Sequence, residues 1–223
     1  MDLHLSPLEP DVQARLLFLR SDELLFQWND ETNNLQSKLI AHQDARIAFA
    51  KMEEDTSWLP NGVLRCGRNS RGVWVVYVAP PQIMHISTDQ NEVLNIPIPM
   101  SLFVGWGLRY YLFALPGKVF DVNDRVCRAP YPNVYENGRI CWGSHKVPVV
   151  TPLNIRQTWQ FFFATTFNAH IASGKTRRHS EKALDLLREL SAARKKSFPA
   201  RELVQQANSV NACIDNLLKR AED

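Results

Sequence analysis

A cysteine and an asparagine lie eight residues apart in the segment 131–143, which reads YPNVYENGRICWG. Between them, Asn137-Gly138 is a strong turn signal. A turn there would fold the segment back and bring the carboxamide of Asn133 near the sulfur of Cys141. A thiolate carries an acyl group as a thioester, and a carboxamide N–H stabilises the oxyanion that forms when an amine attacks that thioester. The segment therefore predicts acyl transfer, with Cys141 as nucleophile and Asn133 as oxyanion donor.

Each of these two residues also has a purely structural interpretation. A lone cysteine at the end of a strand is often a small buried hydrophobe. An asparagine that follows a proline, as Asn133 follows Pro132, often caps a turn with its side chain. The chemistry of the residues alone does not separate the two interpretations of Asn133, and both stay open at this point.

We expect specific roles for three of the residues that follow the cysteine. We expect Trp142 to pack beneath the loop and Gly143 to leave room for an approaching chain. His145 lies four residues after Cys141 and has two interpretations. It either activates the thiol or acts as a base, or it is an ordinary solvated loop residue.

The composition excludes several classes of protein. The 223 residues carry a net charge of +3 and are 45% hydrophobic, which is ordinary for a soluble globular protein and too weakly basic to argue for nucleic-acid binding. The sequence contains no run of 18 apolar residues, so no membrane span is predicted. The N-terminus lacks signal-peptide features, so we expect a cytoplasmic protein. The 4 cysteines lie far apart and form no metal-type spacing with the 6 histidines. We therefore expect no zinc site, no disulfide and no cofactor.

The N-terminal half reads as strands with one helix. Residues 14–28 predict two strands around a Ser-Asp turn, and residues 35–52 predict a helix from apolar residues at helical spacing. Residues 62–116 predict an antiparallel region with two clear strand pairs. From 117 to 153 no periodicity appears, and the prolines and glycines there predict a long ordered loop that carries the cysteine.

The C-terminal third reads as helices. Residues 155–174 predict a helix with a broad aromatic face that ends at Gly174. A basic linker follows, and Ser180 is expected to be the N-cap of the next helix. A last helix is predicted over 200–221 from apolar residues at alternating steps of four and three. This stripe predicts packing on the body of the protein, with partner binding as the alternative, and the charges favour a solvated helical face over a nucleic-acid binder.

The cysteine segment resembles the active-site motif of ubiquitin-conjugating (E2) enzymes. That motif is His-Pro-Asn, a short turn with glycine, and then Ile-Cys, with the cysteine ten residues after the histidine. In this sequence the corresponding residues are Tyr131, Pro132, Asn133, Gly138, Ile140 and Cys141. The one departure is a tyrosine in place of the histidine, which affects the geometry of the loop more than the chemistry.

A closer resemblance covers most of the chain, and it is to the prokaryotic E2-like family found as protein B of PRTRC gene clusters. It rests on four stretches, WLPNGVL (58–64), LFALPG (112–117), APYPNVYENGRICWGS (129–144) and WQFFFATTFNAH (159–170). Such clusters also encode a ThiF/E1-like protein, a ubiquitin-like protein and a JAB-type peptidase, so the resemblance implies these as partners or pathway neighbours.

The resemblance implies an E2-like conjugating enzyme. Cys141 would accept a ubiquitin-like protein from an E1-like enzyme as a thioester and pass it to an amine or another acceptor. Asn133 would occupy the oxyanion-stabilising position, while Pro132, Gly138 and Ile140 would shape the loop. The alternative is a catalytically silent E2-like adapter that binds a ubiquitin-like or E1-like partner. The presence of both the cysteine and the asparagine favours the enzyme.

Together, the patterns and the resemblance predict an α+β, ubiquitin-conjugating fold with a four-stranded antiparallel sheet flanked by helices. We expect a strand–strand–helix extension over 1–57 and an E2-like core over 58–174, with the active-site loop at 117–153. A C-terminal extension over 175–223 is expected to form a helical pair.

Overall fold

The computed structural model describes residues 7–19, 23–45, 58–69, 72–169 and 171–219. Contacts within the chain divide it into two compact units, Met1–Ser57 and Trp58–Asp223. None of the described helices is long and apolar enough to cross a membrane.

The first unit contains a three-stranded antiparallel sheet in the order β1-β2-β3. Its strands are β1 (Ala14–Phe18), β2 (Leu24–Asn29) and β3 (Leu35–Ile40). The two strands predicted over 14–28 are confirmed, and the Ser-Asp turn between them lies outside the described residues.

The helix predicted over 35–52 is wrong at its start, because residues 35–40 are β3 and pair with β2. Asp30 fixes the preceding turn by accepting the backbone N–H groups of Thr32 and Asn34. The turn returns the chain onto β2, and the strand pairing outweighs the helical spacing of the apolar residues. Residues 42–45 are helical, and the rest of the predicted helix lies outside the described residues.

The second unit has two sheets. A six-stranded antiparallel sheet has the order β12-β10-β9-β8-β5-β4, and a smaller sheet has the order β11-β6-β7. The strands are β4 (Val63–Asn69), β5 (Gly72–Ala79), β6 (Gln82–Thr88), β7 (Val93–Ile98), β8 (Met100–Trp106), β9 (Arg109–Leu115), β10 (Arg125–Arg128), β11 (Thr166–Phe167) and β12 (Gln205–Ser209).

The main sheet is larger than the predicted four strands. The antiparallel pairs β4–β5 and β8–β9 are confirmed. Two further strands extend the sheet beyond β9: β10, which lies inside the segment predicted to be a long ordered loop, and β12. Both are only 4 or 5 residues long, which leaves too little alternation to separate them from loop by pattern.

The helices of the second unit cover the main sheet on both faces. They are α1 (Ile155–Ala164), α2 (Ala183–Ala192) and α3 (Val210–Lys219). Alternate residues of β5 enter different cores, as a pleated strand requires: Val75 and Tyr77 pack in the core that contains α1, and Val76 packs in the core that contains α3.

The helix predicted over 155–174 ends ten residues early, at Ala164. Thr165 is extended, with φ −75° and ψ 160°, and the next two residues form β11, which pairs in parallel with β6. Two successive threonines are β-branched and favour extended backbone over helix. Gly174 is therefore not a helix stop.

The predicted basic linker and the predicted N-cap are also corrected. Within the linker, Lys175 and Thr176 are buried, each with 1% of its surface exposed. The N-cap position of α2 is Lys182, and Ser180 lies before it. The backbone N–H of Gly174 donates to the carbonyl of Ser180, and this bond closes the segment 174–180 into a turn.

Two helices, α2 and α3, are present in the predicted C-terminal extension, but the second is shorter than predicted. A short 3₁₀ turn (Ala200–Glu202) and β12 precede α3 where one helix was predicted over 200–221. The stripe of apolar residues is divided between two cores: Leu203 packs with α1, and Val210 and Ile214 pack on the opposite face of the sheet. Pairing with β10 satisfies the backbone of β12 and outweighs its helical spacing.

Candidate active site

The segment that precedes Cys141 lies along the N-terminal half of β9. The backbone N–H of Ile140 donates to the carbonyl of Tyr110 at 2.9 Å, and that of Leu112 donates to the carbonyl of Gly138 at 2.8 Å. These bonds continue the main sheet beside β10, which pairs with the other half of β9. The sheet therefore fixes the position of the residue that directly precedes the cysteine.

A tight turn closes the segment, as the Asn-Gly pair predicts. The N–H of Gly138 donates to the carbonyl of Tyr135 at 2.9 Å, and Tyr135 donates to Arg139 at 2.7 Å. Gly138 has φ +84°, and a Cβ there would lie 2.3 Å from the Cζ atom of Phe113. Glycine is required at this position both for its backbone conformation and for space.

The turn brings Asn133 and Cys141 together through the backbone. Val134 and Ile140 form an antiparallel bridge, and the N–H of Cys141 donates to the carbonyl of Asn133 at 2.8 Å. Asn133 has φ +62°, in the left-handed region that asparagine tolerates better than most residues. The predicted fold-back of the segment is therefore present.

The side chain of Asn133 is buried, with 8% of its surface exposed, and it is anchored. Its amide nitrogen donates to the backbone carbonyl of Thr166 at 2.9 Å. A carboxamide nitrogen carries two N–H groups, and this bond uses one of them. Thr166 was not singled out from the sequence, because its position depends on the early end of α1, which the aromatic pattern conceals.

Two clefts open beside the half-buried Cys141. The larger has a volume of about 440 Å³ and also includes Asn133 and His145 in its walls. The smaller has a volume of about 280 Å³ and includes Arg109 and Arg139. Four residues line both clefts, namely Tyr135, Cys141, Trp142 and Gly143. Cys141 therefore borders two separate openings.

Aromatic side chains support the loop from below. The indole ring of Trp142 stacks on Phe161 with a centroid distance of 5.9 Å, and it meets the edge of Tyr110 at 5.7 Å. Trp142 therefore packs as expected. Gly143, with φ +57°, has open space where a Cβ would be, which agrees with the expected room for an approaching chain.

Tyr131, at the histidine position of the motif, is a core residue. It is 1% exposed, and its ring meets the edges of Phe162 and Phe163 at 6.2 and 5.3 Å. Its hydroxyl has no hydrogen-bond partner among the described residues, and burial raises its pKa well above the ordinary value. Tyr131 thus holds the loop by packing, and Pro132 and Ile140 are buried beside it.

His145 is exposed, and its place is set by two contacts. Its backbone N–H donates to the carbonyl of Trp142 at 3.0 Å, and its ring meets Phe161 edge-on at 5.6 Å. No acidic side chain is among the described residues that line the larger cleft. Across the residues that the structure describes, no three His, Cys, Asp or Glu side chains lie close enough together to hold a metal ion.

The comparisons with known proteins give one match. A model of the family described as Prokaryotic E2 family D matches residues 36–206, which include every residue of this site. No curated protein and no solved structure matches the chain.

Proposed function

This chain belongs to prokaryotic E2 family D, and we propose that it is an E2-like conjugating enzyme that carries a ubiquitin-like protein as a thioester on Cys141. The cargo arrives from an E1-like activating enzyme and leaves to an amine or another acceptor. The observation that carries the proposal is the pairing of Cys141 with Asn133, which puts a half-buried thiol and a carboxamide on the wall of one cleft.

The chemistry proceeds in two exchanges at one carbonyl carbon. In loading, the Cys141 thiolate attacks the thioester carbonyl on the E1-like enzyme, the old C–S bond breaks, and the E1 thiolate leaves. In discharge, an amine nitrogen attacks that carbonyl and gives up a proton, and Cys141 leaves as a thiolate. The second N–H of the Asn133 carboxamide is suited to donate to the oxyanion between these events, and His145 is suited to accept the proton.

The two clefts suggest separate routes for cargo and acceptor. The larger cleft holds Asn133 and His145, which discharge requires, so we assign the acceptor amine to it. The smaller cleft approaches the thiol past Arg109 and Arg139, and we assign the tail of the ubiquitin-like protein to it. Gly143 borders both clefts, and its open surroundings leave the carbonyl on the sulfur accessible from either side.

A chemical charging assay tests the nucleophile without any partner protein. The protein is incubated with a peptide thioester that ends in Gly-Gly, and the intact mass is measured before and after dithiothreitol. We expect one adduct that the reductant removes and that Cys141→Ala abolishes. Cys66→Ser is the matched control, because Cys66 is also half-buried, whereas Cys127 and Cys213 are buried.

The same variants should behave alike with the biological partners. With an E1-like enzyme, a ubiquitin-like protein and ATP, we expect a thioester that depends on Cys141 and not on Cys66, Cys127 or Cys213. Charging that survives Cys141→Ala in both assays would show that the nucleophile is assigned wrongly.

One observation favours the adapter as a second candidate. The Asn133 amide already donates to Thr166, so the residue also has a structural use that a silent adapter would need. An adapter would bind the E1-like or the ubiquitin-like protein in a pull-down and form no thiol-sensitive adduct. An adduct at Cys141 in the partner-driven assay excludes this alternative.

The finer assignment within the E2 family is also part of the proposal. The stretches WLPNGVL, LFALPG, APYPNVYENGRICWGS and WQFFFATTFNAH support the protein B type of PRTRC clusters, with a ThiF/E1-like enzyme as donor and a JAB-type peptidase in the same pathway. We propose that the reaction takes place in the cytoplasm. The genes adjacent to this one test the assignment, because the type requires an E1-like and a ubiquitin-like gene among them.

A further inference from the structure

A buried lysine lies behind the active-site loop. Lys175 is 1% exposed, and its ammonium donates to the backbone carbonyl of Val134 at 2.5 Å. The sequence pattern placed this residue in a basic linker. A cation taken out of water is costly unless specific partners hold it, so the contact requires an explanation beyond chain connection.

Among the described residues, the charges of Arg128 and Glu136 act on Lys175. Arg128 of β10 donates to the carboxylate of Glu136 at 2.8 Å and to the carbonyl of Gly174 at 3.1 Å. Burial first, and then Arg128, lower the pKa of Lys175 to about 8, while Glu136 acts in the opposite direction. The lysine is therefore close to losing its charge just above neutral pH.

Val134 connects Lys175 to both residues of the proposed chemistry. It directly follows Asn133, whose φ is +62°, and it forms the bridge with Ile140, directly before Cys141. The carbonyl that accepts from Lys175 is thus the next one along the chain from the carbonyl that accepts from Cys141. Removal of the Lys175 side chain would leave the Val134 carbonyl without its donor, next to the bridge with Ile140, whereas deprotonation would leave a weaker, neutral N–H donor.

We propose that Lys175 is a positioning residue, whose ammonium holds the carbonyl of Val134 and thereby fixes Asn133 and Cys141 in the geometry that discharge requires. The role of the geometry in discharge rests on the proposed function. The contact between the Lys175 ammonium and the Val134 carbonyl is a property of the fold, and its effect on the loop can be measured without any charging assay.

Stability and activity should respond to pH in opposite directions. Lys175 has a pKa of 10.5 when unfolded and about 8 when folded, so between these values the unfolded chain binds more protons. Stability therefore rises with pH across that window. The charged hydrogen bond to Val134 is complete below the folded pKa and weakens as the pH rises through it. The effect on stability follows from the lowered pKa alone, whereas the effect on activity requires that the ammonium hold the loop.

The first test compares Lys175→Met and Lys175→Gln with Lys195→Met, a variant of an exposed lysine in the same unit. Each is charged with the Gly-Gly peptide thioester, and single-turnover discharge to free lysine is followed from below to above the folded pKa. Below it, Lys175→Met should discharge roughly 10- to 10²-fold more slowly than wild type, the range expected for a small misplacement of reacting groups. Lys175→Gln, a neutral donor, should lie between them, and Lys195→Met should match wild type.

Two features separate positioning from general destabilisation. The ratio of the wild-type rate to the Lys175→Met rate should fall as the pH rises past the folded pKa, toward the ratio of the Lys175→Gln rate to the Lys175→Met rate. The melting temperature of Lys175→Met should stay close to that of wild type, because removal of the buried charge offsets the cost of the unpaired Val134 carbonyl. A ratio that does not change with pH, or a discharge rate for Lys175→Met equal to that of Lys195→Met, would overturn the proposal.

A measurement on the wild-type protein alone covers the case in which the variants fail to fold or Cys141 proves unreactive. Amide hydrogen exchange at 134–141, corrected for the intrinsic effect of pH, should lose protection as the pH rises through the folded pKa. Val75 and Val76 in β5, which lies between β4 and β8, serve as the internal reference. Constant protection at 134–141 would show that the ammonium does not hold the loop, whatever the enzyme does. Failure of every charging assay with intact pH-dependent protection would instead overturn the proposed function alone.

Discussion

The backbone N–H of Cys141 donates to the carbonyl of Asn133 at 2.8 Å, while the side chain of the same asparagine donates to the carbonyl of Thr166 at 2.9 Å. One residue thus links the proposed nucleophile to the strand that follows α1. The first bond depends on the backbone of Asn133, which is in the left-handed region, and the second depends on its carboxamide. The choice of substitution therefore separates backbone geometry from amide chemistry.

Asn133→Gly should be charged nearly as well as wild type and should discharge roughly 10²–10³-fold more slowly, the range for loss of one oxyanion donor. Glycine adopts the φ of +62° without strain, so the pairing with Cys141 is kept. Alanine would add backbone strain and confuse the result. Discharge of preloaded protein to lysine, measured beside the charging rate, checks the expectation.

The turn-capping role of Asn133 makes a different prediction for the same variant. Loss of a cap costs about 0.5–2 kcal/mol of stability, by analogy with helix caps, and it would impair charging and discharge alike. Equal defects in the two steps, together with a lower melting temperature, would contradict the oxyanion role. They would leave the assignment of Cys141 untouched.

Gly138→Ala should damage the loop far more than Gly143→Ala. Both glycines have positive φ, so both substitutions carry a backbone penalty of about 1–3 kcal/mol. Only at Gly138 does the added Cβ collide with another side chain, that of Phe113, which adds about 1–3 kcal/mol by overpacking. Urea denaturation of the two variants gives the difference, and equal losses would mean that Phe113 moves aside at little cost.

His145→Gln should slow discharge to lysine while leaving discharge to hydroxylamine unchanged. A lysine amine has a pKa near 10.4 and arrives mostly protonated, so its attack needs a base, whereas hydroxylamine is mostly neutral at neutral pH. A general base contributes roughly 10²-fold or more, so the loss should be easy to measure. If neither nucleophile slows, His145 is a solvated loop residue, and if both slow equally, it supports the site by packing on Phe161 and not as a base. Ser144→Ala is the matched control, because Ser144 is also exposed on the same cleft.

The parts of the site that the sequence predicts are those fixed by neighbours in the chain. The Asn-Gly turn and the β-branched and aromatic alternation of residues 62–116 are local signals, and both predicted structures are present. The fold-back of Asn133 on Cys141 follows from the turn alone. The packing of Trp142 under the loop follows from its size and its place after the cysteine.

The parts that the sequence does not predict depend on distant contacts. Thr166 meets Asn133 across 33 positions of the chain, and Lys175 meets Val134 across 41, so no local pattern reports either contact. The helix predicted over 200–221 was wrong for a related reason. Its apolar residues at steps of four and three belong to two elements that enter different cores, and helical spacing alone cannot detect that division.

The C-terminal residues should be integral to the second unit, and Ile214→Ala tests this directly. Ile214 is 3% exposed and packs on the main sheet from α3, next to Val210 and Cys213. Removal of a buried isoleucine to alanine costs about 2–5 kcal/mol, because the site cannot collapse fully around the cavity. Asn216→Ala, an exposed position of the same helix, should stay within about 0.5 kcal/mol of wild type.

Urea denaturation, followed by tryptophan fluorescence, measures both variants of α3. We expect Ile214→Ala to lower the midpoint at an unchanged slope, since the surface exposed on unfolding stays nearly the same. An identical midpoint for Ile214→Ala and Asn216→Ala would mean that α3 does not pack on the sheet. The apolar face of α3 would then be available to a partner, as the sequence pattern also allowed.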